Sequence, residues 1–336
     1  MSSLDISDLD SVTLEPDYFS DEGYAESVGT SYATSIASEI RRGIEENGRT
    51  YPAYGMNEYG LPVDEAEQDR NDLQHCKFML ILGDRLHLAP IRNDPTNILD
   101  LGTGSGIWAI DMADKYPTAQ VIGVDIANVQ PQWLPPNCAF EIDDVERDWI
   151  YKPDSFDFIH GREFLLAIRD WSKLIKQSYD HLKPGGWLEL SSTLPDAGSD
   201  DDTIPENSAW VQFTQVFFQI GEIIGASGHA PKTWKAKMLE QGFEDVHEHI
   251  FKVPCNAWPK DQRYKNIGAL ELANLDRGAE AILIRGMTGV LGRTKEEAQV
   301  LFAKARQESR DLRMHGYIRF YCVYGRKPSK KAYKDE

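Results

Sequence analysis

The chain has 336 residues, which is enough for one large domain or two modest ones, and its 36 basic and 54 acidic residues give a net charge of -18. A surface this acidic repels polyphosphate, so we expect no direct binding to nucleic acid. No apolar run approaches the roughly 20 residues that a membrane span needs, and the N-terminus lacks the basic and then apolar pattern of a signal peptide.

The N-terminal part of the chain predicts an acidic tail followed by a helical segment. Residues 1–30 are rich in serine and acidic side chains, and no lysine or arginine precedes Arg41, so we expect this stretch to be disordered. Residues 31–92 predict helices that pack on the core. One covers 31–46, and a longer one covers 65–88, where apolar residues recur at helical spacing.

Residues 93–192 alternate between short apolar runs and helical patterns. The predicted strands lie at 97–101, 120–125, 138–143, 155–160 and 187–192. The predicted helices lie at 106–117 and 171–182. Because short apolar strands separated by helices form parallel sheets that are covered on both faces, we predict an α/β fold with a Rossmann-like sheet.

Residues 193–325 predict the remainder of the sheet together with a helical cap. Two more strands are expected at 244–254 and 316–328. Helices are expected at 204–228, at 230–243 and within 260–313. The first of these is rich in aromatic residues, so it either packs as core or offers a surface to a substrate or partner. The basic tail, residues 326–336, is either a solvated terminus or a weak nuclear-import signal.

The stretch ILDLGTGSGIW, residues 98–108, places Gly102, Gly104 and Gly106 between a predicted strand and a predicted helix. Glycines at such a turn let the backbone approach a ligand closely, and the start of the helix offers free N–H groups. A dinucleotide fingerprint needs its third glycine one residue later, where Ile107 stands, so the spacing argues against NAD. A P-loop needs a lysine after the glycines, so ATP is disfavoured as well.

The pattern Asp-x-Gly-x-Gly-x-Gly is instead the one by which S-adenosylmethionine, which has no pyrophosphate, lies over the first strand of such a sheet. Asp100 can meet the ammonium group of this cofactor or the water around it. The glycines, with Thr103 between them, leave room for the amino-acid part and the ribose. A tight turn without a ligand is the alternative.

Two further strand ends carry acids where this cofactor needs them. Asp125, followed by Ile126, ends the second strand and can accept both ribose hydroxyls, or can instead cap a turn or helix. Asp143 and Asp144 follow the third strand, where a carboxylate can accept from the adenine amino group while the Val145 N–H meets a ring nitrogen. We favour Asp144 as the acid that faces the ligand. Acids at three successive strand ends predict a binding site for S-adenosylmethionine.

The sequence resembles the class I S-adenosylmethionine-dependent methyltransferases, and within them the fungal LaeA-like group. GTGSGIWAID and LKPGG are typical of the superfamily, and PPNCAFEIDD together with the upstream EQDRNDLQH is more specific to the fungal group. The resemblance covers roughly residues 48–192. Residues 193–314, where a substrate would be selected, match only in general arrangement.

The resemblance implies a seven-stranded, mostly parallel sheet, S-adenosylmethionine as methyl donor and S-adenosylhomocysteine as product. The unpaired cysteines and the basic tail favour a location in the cytoplasm, the nucleus or both. The resemblance also implies a link to fungal secondary metabolism or its regulation. We therefore carry two hypotheses. One is an enzyme that methylates an O or N atom of a small metabolite under an aromatic cap built from 203–228 and 260–290. The other is a regulator that binds the cofactor and acts through a protein partner, as a homodimer or heterodimer.

Several side chains are candidates for chemistry or for closing the site. His160 can accept a proton or simply hydrogen-bond locally, and Arg162 can anchor a carboxylate of cofactor or substrate or pair with a neighbouring acid. Arg70 and His75 can share a helix face that closes over the cofactor, or can be solvated. Tyr51 can act as a lid or belong to the core. The four cysteines match no zinc-binding or CxxC spacing, so we expect no metal site.

Overall fold

The computed structural model describes residues 43–53 and 60–329, all within one compact unit that spans Ile40–Glu336. The predicted disordered N-terminus, most of the helix predicted over 31–46 and the end of the basic tail, 330–336, lie outside the described residues. Within the described ranges, no helix is both long enough and apolar enough to cross a bilayer.

Strands and helices alternate through the first half of the described chain. The strands are β1 (Ile44–Glu46), β2 (Arg49–Tyr51), β3 (Asn97–Leu101), β4 (Gln120–Asp125), β5 (Cys138–Ile142), β6 (Phe156–Arg162), β7 (Leu182–Gly198), β8 (Glu244–Pro254) and β9 (Tyr317–Arg326). The α-helices are α1 (Glu65–Leu82), α2 (Ile107–Lys115), α3 (Trp171–His181), α4 (Ala209–Ile224), α5 (Trp234–Gln241), α6 (Gln262–Arg285) and α7 (Lys295–Ser309). A 3-10 turn precedes α5, and a π-helical turn follows α6.

The main sheet has seven strands in the order β5-β4-β3-β6-β7-β9-β8. Strand β3 pairs in parallel with β4 and β6, β4 pairs in parallel with β5, and β6 pairs in parallel with β7. Strand β9 runs antiparallel between β7 and β8. The predicted seven-stranded, mostly parallel sheet is confirmed. The strand order reverses beside β3, and a crevice at the carboxyl ends of the strands is expected at such a point.

Helices cover both faces of this sheet. Successive side chains of a strand point to opposite faces, so each central strand contributes to an apolar cluster on either side. Leu99 and Ile159 pack on one face in a cluster that includes Trp234 of α5. Ile98 packs on the other face with Trp108 of α2. The central strands are therefore buried on both sides, as the apolar runs of the sequence predict.

Helices α4, α6 and α7 form a further apolar cluster with α1 and β9. The aromatic stripe of α4 is buried here, with Trp210 4%, Phe213 8% and Phe217 5% exposed. These side chains are core, so the alternative in which they offer a surface to a substrate or partner is wrong. Helix α6 also packs along α1, where Lys77 Nζ lies 2.6 Å from Glu271 Oε2 in a buried ion pair.

The end of the helix predicted over 31–46 is wrong, because Ile44–Glu46 is strand β1. It pairs with β2 in an antiparallel hairpin. Asn47 and Gly48 join the two strands with φ values of 55° and 78°. Positive φ at both positions is the mark of a type I′ turn, for which Asn-Gly is the preferred sequence, so the signal was present in the residues.

Helix α1 begins at Glu65 and ends at Leu82, several residues before the predicted end. At its start, the Asp64 carboxylate accepts a hydrogen bond from the Glu67 N–H and so caps the helix. The same carboxylate forms an ion pair with Arg49 at 2.6 Å, which joins the hairpin to the helix. At its end, Gly83 takes a left-handed conformation with φ 68°, a common way for a helix to stop.

Candidate cofactor and active site

A cavity that is partly open to solvent lies at the carboxyl ends of β3, β4, β5 and β6. The loops after these strands and one side of α1 form its wall. The predicted site residues that line it are Arg70, Asp100, Gly102, Thr103, Gly104, Asp125, Ile126, Asp143, Asp144, Val145, His160 and Arg162. Segments 203–228 and 260–290 contribute no lining residue, so the predicted aromatic cap over the acceptor is wrong for this cavity.

The glycine loop bends sharply into the cavity. Gly102 and Gly104 both have left-handed backbones, with φ 63° and 57°, and both line the wall. A Cβ on Gly104 would meet nothing closer than the Asn71 amide nitrogen, at 3.6 Å, so free space lies above this residue. Gly106 lies outside the cavity, and a Cβ there would come within 2.3 Å of the Phe140 ring. Gly104 therefore leaves space in the cavity, whereas Gly102 makes room for the Phe164 ring, which would lie 2.7 Å from a Cβ, and Gly106 lets the helix pack on the sheet.

Asp125 at the end of β4 is held by the glycine loop. Its Oδ2 accepts the Gly104 N–H at 2.8 Å, and its Oδ1 accepts the Ala127 N–H at 3.0 Å. Burial raises the pKa of Asp125 to about 6, although these N–H groups oppose the shift. Each carboxylate oxygen keeps acceptor capacity, since a carboxylate has about four lone-pair sites.

The acids after β5 differ in exposure. Asp144 is buried, and its Oδ1 accepts the Glu146 N–H at 3.0 Å. Asp143 is less buried, and its Oδ1 accepts the Asp144 N–H at 2.8 Å. Both acids line the cavity together with Val145.

Asp100 and His160 form a buried pair on adjacent strands. His160 Nδ1 lies 2.7 Å from Asp100 Oδ1, and the Thr103 hydroxyl donates to the other carboxylate oxygen at 2.6 Å. The imidazole stacks on Trp108 with a ring separation of 3.7 Å. Burial lowers the pKa of His160, and the Asp100 carboxylate opposes this shift. A neutral imidazole that donates Nδ1–H to the carboxylate keeps its lone pair on Nε2.

Arg162 at the end of β6 lines the cavity without an acidic partner. One of its amino groups donates to His75 Nδ1 at 3.0 Å, and its guanidinium lies 4.9 Å from the centre of the Phe78 ring. Over the part of the chain that the structure describes, no carboxylate lies within ion-pair distance of it. Burial lowers the pKa of Arg162, and the more distant acids, among them Asp100 and Glu163, raise it.

Two predicted site residues lie behind the wall. His75 contacts Arg162 on one side and Asp111 of α2 on the other, with Nε2 2.9 Å from Oδ2. Tyr51 is fully buried, and the Arg285 guanidinium lies 4.6 Å from its ring centre. The structure therefore brings neither side chain to the cavity surface.

Residues 73–248 match the family model described as a methyltransferase domain. The chain is 39% identical over 299 residues to the methyltransferase pytC of Aspergillus terreus, covering 89% of this chain and 92% of that protein. It is 35% identical over 295 residues to the secondary metabolism regulator LAE1 of Cochliobolus heterostrophus, covering 84% and 94%. The chain belongs to the LaeA-like S-adenosylmethionine-dependent methyltransferases.

Further proteins resemble this methyltransferase. The protein-methionine methyltransferase laeA of Emericella nidulans is 31% identical over 295 residues, covering 87% of this chain and 78% of that protein. The solved phosphoethanolamine N-methyltransferase 2 of Haemonchus contortus, in complex with S-adenosyl-L-methionine, is 17% identical with a TM-score of 0.43, covering 77% of this chain and 53% of that one.

The cavity of this methyltransferase has the groups that S-adenosylmethionine needs. Asp125 offers acceptors for hydroxyl groups, Gly104 leaves space, and Arg162 offers a cation. The carbonyl oxygen of Gln74, a buried residue of the wall, has no hydrogen-bond partner among the described residues. Buried polar atoms are normally paired, so this oxygen indicates a ligand donor beside it. The residues present fit the cofactor.

Sequence reasoning placed Arg70 of α1 at the cavity but missed Gln74 and Phe78, which the same helix supplies. Arg70, Gln74 and Phe78 line the cavity four residues apart, which places them on one face of a helix. Arg70 donates to Glu67 and, at 2.8 Å, to Asn274 of α6, so this guanidinium is held by the protein. His75 is five residues from Arg70, about 140° around the helix, and points elsewhere. The i, i+4 spacing was visible in the sequence, but nothing there marked which stripe faced the sheet.

Proposed function

We propose that this chain transfers the methyl group of S-adenosylmethionine to an O or N atom of a small, largely apolar acceptor. One observation carries the proposal. In a single cavity, the glycine loop with Asp125 and Asp144 lies beside the Asp100–His160 pair and an apolar wall. The glycine loop and the two acids suit a nucleoside, and the Asp100–His160 pair suits an acceptor that loses a proton.

The cofactor would be held across three strand ends. Asp125 accepts the ribose hydroxyls, Asp144 accepts from the adenine amino group, and the Val145 N–H meets a ring nitrogen. Gly104 leaves room for the amino-acid part. When bound, the cofactor supplies a methyl group on a sulfonium, which is already a good leaving group, so positioning the acceptor supplies most of the catalysis.

Part of the cavity wall is apolar. Leu61, Phe78, Phe164, Ala167 and Ile168 contribute to it, from the segment before α1, from α1 and from the loop after β6. A wall of this kind binds an apolar body, while few polar groups fix its orientation. This composition supports a small metabolite rather than a highly charged acceptor.

His160 is the candidate base for a hydroxyl acceptor. Its Nδ1–H stays on the Asp100 carboxylate, so the imidazole cannot turn, and Nε2 takes the proton that the acceptor loses. Burial keeps the imidazole neutral at pH 7, since it lowers the pKa of His160. An amine acceptor would need no such base, because its lone pair is already available.

A second candidate function is regulation through a protein partner. The similarity to proteins named secondary metabolism regulators and to a protein-methionine methyltransferase favours it. In that case the acceptor would be a protein side chain, or the loaded protein would bind its partner in the cytoplasm or nucleus. The cofactor site would be the same, so the two functions differ only in what meets the methyl group.

The test has two stages. Calorimetry should show binding of S-adenosylhomocysteine to the full chain and at least tenfold weaker binding to Asp125→Asn, by the loss of hydrogen bonds to a charged acceptor. Tritium transfer from labelled S-adenosylmethionine is then measured for a panel of phenols, carboxylic acids and amines and for methionine-containing peptides. Transfer to small molecules supports the proposal. Transfer to peptides alone supports the second function, and no cofactor binding overturns both.

A further inference from the structure

Arg162 is fixed by a neutral partner rather than by an acid. A guanidinium only donates, so His75 Nδ1, at 3.0 Å, must be the acceptor. The proton of the neutral imidazole is then on Nε2, which donates to Asp111 Oδ2 at 2.9 Å. The chain of contacts Asp111–His75–Arg162 thus assigns one tautomer and one ring orientation to His75.

The acids around Arg162 and His75 are bound by other donors. The Asp100 carboxylate is hydrogen-bonded to His160 Nδ1 and to the Thr103 hydroxyl, and the Glu163 carboxylate accepts the Thr193 N–H. On β7, the Glu189 carboxylate accepts two backbone N–H groups, from Leu88 and Ala89, at 2.8 and 2.6 Å. Asp111 pairs with His75, and its side chain is 43% exposed. None of these carboxylates forms an ion pair with Arg162, so its charge remains available to a ligand.

The sheet places Arg162 at a particular end of the cavity. Leu101 and Gly161 are register partners on β3 and β6, so Arg162 follows beside Gly102 at the edge of the sheet. Asp125 and Asp144 lie on the other side of β3, at the ends of β4 and β5. A molecule whose ribose meets Asp125 and whose adenine lies near Asp144 therefore directs its remaining end toward Arg162.

We propose that His75 is a positioning residue that holds the Arg162 guanidinium to bind the carboxylate at the amino-acid end of the cofactor. This inference rests on the proposed function. An acid in the place of His75 would neutralise the guanidinium, whereas a neutral imidazole fixes its direction and leaves its full charge for the ligand. A carboxylate bound by a fixed guanidinium forms charge-assisted, directional hydrogen bonds.

The test compares two ligands that differ only at this end. S-adenosylhomocysteine carries the amino-acid group, while 5′-methylthioadenosine has the same adenosine and thioether without it. Calorimetry on the full chain should show that Arg162→Met and His75→Leu weaken the binding of S-adenosylhomocysteine by about tenfold or more. The affinity for 5′-methylthioadenosine should change little. His75→Asn should keep most of the affinity, because its amide oxygen can replace Nδ1 as acceptor.

The ratio of the affinities for S-adenosylhomocysteine and 5′-methylthioadenosine separates positioning from a merely structural role. A loss of stability alone would leave this ratio unchanged, because both ligands carry the adenosine. His75→Asn should keep the ratio near the wild-type value, whereas His75→Leu should lower it. Asp111→Ala, at a half-exposed side chain, should lower the ratio without unfolding the protein.

The outcomes distinguish two failures. A wild type that binds neither ligand overturns the proposed function and this inference with it. A wild type that binds both, with Arg162→Met weakening both equally or neither, overturns this inference alone. Variants that lose thermal stability but keep the ratio of affinities likewise show that His75 only joins α1 to α2.

Discussion

His160 and Asp100 occupy facing positions on two neighbouring parallel strands, and Nδ1 of the imidazole lies 2.7 Å from the Asp100 carboxylate. The stacked Trp108 ring, 3.7 Å away, prevents the imidazole from turning. Both side chains are buried, so the pair is part of the sheet as much as of the cavity. Only Nε2 of His160 is available for chemistry.

His160→Asn separates the structural role of this pair from the chemical one. The asparagine amide can still donate to Asp100 in place of Nδ1, but it has no group that replaces Nε2. For a hydroxyl acceptor we expect kcat to fall by about 10²–10⁴ while the affinity for S-adenosylhomocysteine stays within about threefold. Steady-state transfer assays and calorimetry measure the two quantities. An unchanged kcat would leave His160 with a structural role only.

Replacing two glycines of the loop by alanine should have different effects on stability and ligand binding. In Gly104→Ala the new methyl group enters free space, so the protein should fold with a loss of about 1–2 kcal/mol from the positive φ, and bind S-adenosylhomocysteine at least tenfold more weakly. In Gly106→Ala the methyl group meets the Phe140 ring outside the cavity, so the loss of stability should be larger, about 2–4 kcal/mol.

Urea unfolding and calorimetry on the two glycine variants provide the comparison. A Gly104→Ala protein that binds the ligand as tightly as the wild type would show that the space above this loop is not the ligand site.

Binding of the nucleoside should depend on pH through Asp125. Burial raises the pKa of Asp125 to about 6, and only the ionised carboxylate can accept two hydroxyls. The free protein must therefore lose a proton to bind at low pH, so affinity should rise about tenfold from pH 5 to pH 7. Calorimetry with 5′-methylthioadenosine at these pH values is the measurement. Asp125→Asn should bind weakly with no such slope, and a slope that persists in this variant would assign the titration to another group.

Glu189 should make stability depend on pH in a predictable direction. Burial raises the pKa of Glu189 to about 7, although the Ala89 and Leu88 N–H groups oppose the shift. Because the folded state holds this proton more tightly than the unfolded state, its contribution is present at low pH and is lost as the pH rises through about 7.

Glu189→Gln removes this titration. The difference in unfolding free energy between variant and wild type should shift in favour of the variant by up to about 3 kcal/mol between pH 5 and pH 8. Urea unfolding at several pH values measures it, with Glu240→Gln, an exposed position on α5, as the matched control. Parallel curves for wild type and Glu189→Gln would contradict the prediction.

Most of the sheet was predictable because its strands are short apolar runs that helices separate. The Asn-Gly hairpin at residues 47–48 was missed although its signal was present, since a helical pattern was extended across it. The aromatic stripe of α4 had two explanations that sequence could not separate. An amphipathic face looks the same whether α6 and α7 or a partner covers it.

The sequence by itself determined the cofactor side of the site. The carboxyl ends of parallel strands meet at one edge of the sheet, so Gly102, Asp125 and Asp144 had to come together once the strands were recognised. Only the tertiary structure decided which side of α1 faces the cavity and which acids are already bound. Those answers depend on contacts from distant parts of the chain, such as Arg70 with Asn274 and His75 with Asp111. Spacing along one helix does not encode such contacts, because they are set by how whole elements pack.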